Sequence, residues 1–133
     1  MRALRLDDDT GSSPVEFVLV GALLTVLTLA VMQLGLAVYV RNVVHDAAVD
    51  GAYHAALADT APAEGAERAR TVIARTVGEG YVESAAARES TQAGHPVVEV
   101  TVRATLPLAG LWGLPGMLEV TAHAPLESLA ASG

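Results

Sequence analysis

Between Glu16 and Arg41 the chain runs for 24 residues without a charge, FVLVGALLTVLTLAVMQLGLAVYV, and Gln33 is its one clearly polar member. As a helix rising about 1.5 Å per residue, this run spans about 36 Å and exceeds a hydrocarbon core of about 30 Å. The apolar core of a cleavable secretory signal is shorter, about 7–15 residues, and ends at a small-residue break. Here the helical pattern continues instead. A chain of 133 residues is also too small to enclose so long an apolar rod. The pattern predicts one membrane span, placed at residues 12–40.

Past the span, Val40, Val43, Val44, Ala47, Ala48, Gly51, Ala52 and Ala55 keep the i, i+3, i+4 spacing of one apolar stripe. Asn42, His45, Asp46, Asp50 and Tyr53 fall on the other side. One helix is therefore expected from about Pro14 to about Ala58, half in lipid and half protruding, with Thr60-Ala61-Pro62 as its end. A second helix is expected from about Ala63 to Val77, with Ala66, Ala69, Val72, Ile73 and Val77 inward and Gly78 and Gly80 as stop signals. Residues 83–95 are polar and read as a loop or a short extra turn.

The last third changes period. Val98, Val100, Val102 and Ala104 alternate with Glu99, Thr101, Arg103 and Thr105, and Leu118, Val120, Ala122 and Ala124 alternate with Glu119, Thr121 and His123. Both read as strands with one apolar face, paired as an antiparallel hairpin. The predicted class is thus an α+β membrane protein: a transmembrane helix extended into a long protruding helix, a second short helix, and a C-terminal two-stranded antiparallel hairpin. Because two strands alone are barely stable in water, the apolar face has to pack on the helices or on a neighbouring chain. Between the strands lies an apolar connection. Its Leu111, Trp112 and Leu114 are candidates either for core packing or for contact with a partner or the membrane surface.

Composition narrows the function. Eight arginines and no lysine stand against 15 acidic residues, a net charge of −7, which disfavours nucleic-acid binding. The absence of cysteine excludes disulfide frameworks, thiolate zinc sites and thiol catalysis. No nucleophile-elbow, phosphate-loop, dinucleotide or zinc-protease pattern occurs, so nothing calls for an enzyme or a cofactor. His45, Asp46, Asp50 and His54 include a pair one helical turn apart. With no third ligand set by spacing, they read as a solvated helix face and not as a metal site. Arg2, Arg5 and the amino terminus precede the span and Arg41 follows it. This asymmetry favours a cytoplasmic N-terminus and an outer C-terminal domain on the cytoplasmic membrane.

Just before the span stands Gly11-Ser12-Ser13-Pro14-Val15-Glu16-Phe17. Ser13 as N-cap, Pro14 at the first helical position and Glu16 three residues on would make a capping box. An ionisable Glu16 at the lip of an apolar run is costly unless paired. Gly21 and Thr25 offer a small-xxx-small face for helix packing in lipid, or simply ordinary transmembrane composition.

The segment from Gly11 to Val40 resembles the N-terminus of type IV prepilins: a short polar leader ending in Gly11, then, counted from Ser12, Glu16 fifth and the aromatic Phe17 sixth. Within that class, the short chain with one span and a C-terminal hairpin is similar to the TadE-like family of the tight-adherence (Flp) pilus system. The resemblance implies a leader over 1–11, cleavage between Gly11 and Ser12 by a membrane prepilin peptidase, and a 41–133 domain outside. It further implies a minor pilin or pseudopilin role in a pilus or related secretion apparatus. The implied partners are other pilin-like subunits, a platform protein and a cytoplasmic ATPase. Pro14 departs from the usual start of a packed pilin helix. In a bundle of cleaved helices, the carboxylate of Glu16 on one subunit can neutralise the new Ser12 amine of the next. A membrane-anchored accessory or binding protein that keeps its leader is the alternative.

Overall fold

The computed structural model describes residues 11–57, 59–107 and 113–127, with the backbone alone for 113–116. Its longest element is α1, Ser12–Ala56, an unbroken helix of 45 residues. The helix starts at Ser12 and not at Pro14. Gly11 occupies the N-cap position without a side-chain cap bond, so the expected Ser13 capping box does not form. Pro14 sits third in the helix, where its missing N–H removes no intrahelical bond. The second helix, α2, is Pro62–Thr76, and Pro62 opens it as a first-turn proline.

A 3-10 turn at Glu79–Tyr81 leads into β1, Val82–Gln92, followed by β2, His95–Pro107, and β3, Gly113–Pro125. They form one antiparallel sheet in the order β1-β2-β3. The α+β class is as expected, but the sheet has three strands instead of two: the stretch read as a polar loop is β1. It pairs along β2 from Val82↔Ala104 to Gln92↔His95, with an irregularity between Val82 and Ser84. Ala93 and Gly94, both at positive φ (50° and 82°), close this hairpin with a two-residue turn.

The helices cover one face of the sheet, α1 over β2 and β3, and α2 over β1. The core between them contains Val40, Val44, Ala47, Ala48, Ala52, Ala55, Ala69 and Ile73 from the helices, and Val98, Val100, Val102, Ala104, Leu118, Ala122 and Ala124 from the sheet. The helical stripe and the strand alternation thus fall where the sequence pattern puts them. The two helices approach closely because Gly51 faces Gly65, with Ala55 and Ala69 beside them. At the far end of the domain the Glu127 N–H donates to the Ala56 carbonyl at 3.1 Å, tying the end of β3 to the end of α1.

Candidate assembly site

From Ser12 to Leu36 every position of α1 is exposed except the half-buried Gln33. Val15, Phe17, Val18, Leu19, Val20, Leu23, Leu24, Val26 and Leu27 all present more than half of their surface. An 18-residue window of this helix has mean hydropathy 2.4 and no buried share, so the helix is long and apolar enough to cross a membrane. Burial on α1 begins at Ala37 and Val40, where β2 and β3 cover one side. An exposed apolar rod of this length is not stable in water, which is the physical argument for membrane anchoring.

At its first turn, Ser12 Oγ donates to Glu16 Oε1 at 3.2 Å. Two of the residues that the prepilin resemblance singles out, Ser12 and Glu16, are therefore neighbours one helical turn apart, and Glu16 faces Ser12 and not the expected Ser13. Gly11 adopts φ −93°, ψ −18°, a conformation open to any residue, and a side chain there would meet nothing within 4 Å. The fold has no need of glycine at this position. Phe17 is 80% exposed.

Gly21 and Thr25 lie on the exposed rod. Thr25 Oγ1 donates to the Gly21 carbonyl at 2.8 Å, and a Cβ on Gly21 would meet nothing within 4 Å. Among the described residues they pack against no other helix. The close helix crossing occurs instead at Gly51 and Gly65. Its signal was present in the sequence, as small residues four apart at Ala47, Gly51 and Ala55 on α1 and at Gly65 and Ala69 on α2. Leu111 and Trp112 lie outside the described residues, as does the side chain of Leu114.

The solvated helix face is partly engaged: Arg68 Nε donates to Asp50 Oδ2 at 2.6 Å, linking α2 to α1. Among the described residues no three of His, Cys, Asp and Glu group at metal-holding distance. On the outer sheet face, Arg88 of β1 donates from Nη2 and Nε to Glu99 Oε1 of β2 at 2.7 and 3.1 Å. His123 Nε2 of β3 lies 3.2 Å from Glu99 Oε2. The Arg88 hydrogen bonds are the main cause that holds the Glu99 carboxyl below its ordinary value. Desolvation opposes this, while the Arg88 charge and the His123 contact add to the lowering. Beside this trio, Thr101 and Thr121 hydroxyls meet at 3.0 Å and Arg103 Nε donates to Glu119 Oε2 at 2.7 Å. These polar groups satisfy one another across strands, the behaviour of a stabilised sheet face. Sequence reading missed the trio because β1, which carries Arg88, was not recognised.

Residues 11–52 match the family model of TadE-like proteins. The matched segment contains the Gly11–Phe17 motif, the exposed apolar rod and the first half of the stripe that packs on the sheet. No curated protein and no solved structure matches the chain.

Proposed function

We propose that this chain is a TadE-like, pilin-type structural component of a tight-adherence pilus or a related secretion apparatus, a minor pilin or pseudopilin. In this reading residues 12–40 cross the cytoplasmic membrane, the leader lies in the cytoplasm and the 41–133 domain lies outside. The observation that carries it is the start of α1. An ionisable Glu16 opens an exposed apolar helix with Ser12 as its sole hydrogen-bond partner among the described residues, and this segment is part of the TadE-like match. Once Ser12 becomes a free amino terminus, the same geometry offers a cation and an anion at one end of a lipid-facing helix. Burying both is favourable only if they pair, within the chain or with a neighbouring subunit. Other pilin-like subunits, a prepilin peptidase, a platform protein and an ATPase are the partners this role requires.

Shear fractionation of cells producing the protein, with immunodetection in filament and membrane fractions, tests the reading. Recovery with sheared filaments is expected for a minor pilin, and membrane retention with co-purifying pilus components for a pseudopilin. Membrane retention of a chain still bearing Met1 to Gly11, with no pilus component attached, would overturn it in favour of an anchored accessory protein.

A further inference from the structure

β3 closes one side of the sheet, and among the described residues no strand lies on its outer edge. The phase of that edge follows from one bond. The Leu126 N–H donates to the Pro96 carbonyl at 3.1 Å, one step beyond the Val97↔Pro125 pair. In an antiparallel ladder this marks Val97↔Pro125 as a pair that exchanges no hydrogen bonds of its own, and the two kinds of pair alternate. Leu118, Val120, Ala122 and Ala124 therefore bond to β2, while the N–H and C=O groups of Glu119, Thr121 and His123 point away from the sheet. The contact between the Thr101 and Thr121 hydroxyls at 3.0 Å agrees, since side chains approach closest in the pairs without backbone bonds.

The two edges of the sheet are not equally protected. β1 carries Glu89 opposite the buried Val98, so a charge stands on the helix-facing side of that edge, and its ladder is irregular between Val82 and Ser84. Inward charges and bulges keep an edge from accepting another strand. From Leu118 to Ala124, about 23 Å of strand, β3 has no proline, no break in register and no charge on its helix-facing side. Beside it a groove is lined by the consecutive residues Met117 to Thr121, with Arg41, Asn42 and His45 of α1 also in its wall. Successive side chains of a strand face opposite ways, so a groove that touches such a run follows the strand edge. Arg41, Asn42 and His45 hold no hydrogen bond or ion pair among the described residues.

From this we infer that the outer edge of β3 is a strand-addition site, taken by an extended segment of another protein that sets an acidic side chain toward Arg41 and His45. Main-chain bonds to Glu119, Thr121 and His123 supply the affinity, and the acidic side chain against the unpaired Arg41 supplies selectivity. A second copy does not fit. β3 runs alongside α1 in the same direction, with Met117 to Thr121 beside Arg41 to His45 and Glu127 bonded to Ala56. Copies anchored in one membrane thus point their β3 strands the same way, whereas two β3 edges related by a two-fold axis pair only antiparallel. The site rests on the placement of 41–133 outside the membrane proposed above.

A photoreactive benzophenone side chain at the exposed position 117 of the full chain, irradiated in the native cells, reads the contact. It is combined with Thr121→Pro, which deletes one outward N–H, and with Thr121→Ala, which keeps it. Both variants lose the hydroxyl contact to Thr101, and proline is tolerated on an edge where its N–H would face away from the sheet. The unsubstituted chain and Thr121→Ala should cross-link to a different protein, and Thr121→Pro several-fold less. An equal yield in Thr121→Pro, a cross-link to a second copy, or a cross-link to lipid alone would each overturn the site. Should Thr121→Pro melt below Thr121→Ala, hydrogen exchange of the unsubstituted chain decides. The Glu119, Thr121 and His123 amides should exchange several-fold more slowly in native membranes than in the detergent-purified chain, and equal rates would overturn the site. A chain that keeps residues 1–11 yet shows the proline-sensitive cross-link would reject the pilin role and leave the edge site standing.

Discussion

Gly51 and Gly65 meet backbone to backbone: a Cβ on Gly51 would come within 2.5 Å of the Gly65 carbonyl oxygen and 3.1 Å of Ala69 Cβ. A Cβ on Gly65 would strike both Ala55 Cβ and the Gly51 carbonyl oxygen. The contact sets how closely α2 lies on the protruding half of α1, and so the thickness of the helix layer over the sheet.

Gly51→Ala or Gly65→Ala should therefore destabilise the outer domain. Overpacking costs about 1–3 kcal/mol, partly offset by the better helix propensity of alanine, about 1 kcal/mol. A net loss of about 1–2 kcal/mol is expected for each. Gly35→Ala, where the added Cβ meets nothing within 4 Å, should show no loss. Thermal melts followed by circular dichroism in detergent make the comparison. Equal behaviour of all three would mean that the helices do not cross at these glycines.

Two periodicities were legible because each had one partnered face. The stripe from Val40 to Ala55 and the alternations at Val98–Ala104 and Leu118–Ala124 gave the helix, the strands and most of the core. β1 was not legible for a physical reason. Its inward residues are alanines, Ala85 and Ala87, and its outward ones include Ala86, so the apolar–polar contrast nearly vanishes. Its turn also places Ala93 at φ 50°, where asparagine or glycine would have signalled a hairpin. In the sequence Glu16 stands out by its position at the lip of the apolar run. Its partner was assigned to Ser13 because a proline usually marks the first helical position, whereas the helix here begins two residues earlier.

The strand assignment of β1 is directly testable. Ala87, opposite Val100, faces the helices and is half-buried, whereas Ala86, opposite Thr101, faces water. Ala87→Asp would place a charge against the core with no partner and should cost more than about 2 kcal/mol. Ala86→Asp should cost less than about 0.5 kcal/mol, as an ordinary surface change. Similar small effects at both positions would be the mark of a solvated loop.

Glu99 carries a pH dependence whose sign is fixed. Its folded-state pKa is lowered from 4.5, chiefly by the Arg88 hydrogen bonds, so the carboxylate form is favoured by folding. That stability is fully present above about pH 4.5 and is lost as pH falls through the lower folded value. Glu99→Gln should lower the melting temperature at pH 7 and matter progressively less on acidification below pH 4.5. With Arg88 mostly solvent-exposed, the pair contributes less than about 1 kcal/mol. Melting curves of both proteins between pH 3 and pH 7 are the measurement. A gap that widens on acidification would contradict the arrangement.

Processing between Gly11 and Ser12 is the prediction on which the pilin reading most depends. Gly11 has open space around it and an ordinary helical backbone, so Gly11→Leu leaves the fold undisturbed. An effect of that variant on processing then reports on the peptidase, for which glycine lets the backbone enter a cleft without side-chain conflict. Cleavage leaves residues 12–133 beginning SSPVEF and frees the Ser12 amine, one turn from Glu16. Intact mass of the protein from its native membrane should show the leader absent in wild type and retained in Gly11→Leu. Glu16→Ala should still be trimmed, since Glu16 lies beyond the cut and its one hydrogen-bond partner among the described residues is Ser12. It should nevertheless be lost from pilus fractions, because the buried amine is then left without its counter-charge. A trimmed Glu16→Ala chain that enters those fractions at the wild-type level would show that the amine–carboxylate pairing plays no part in assembly. A wild-type chain that keeps its first 11 residues would remove the pairing altogether.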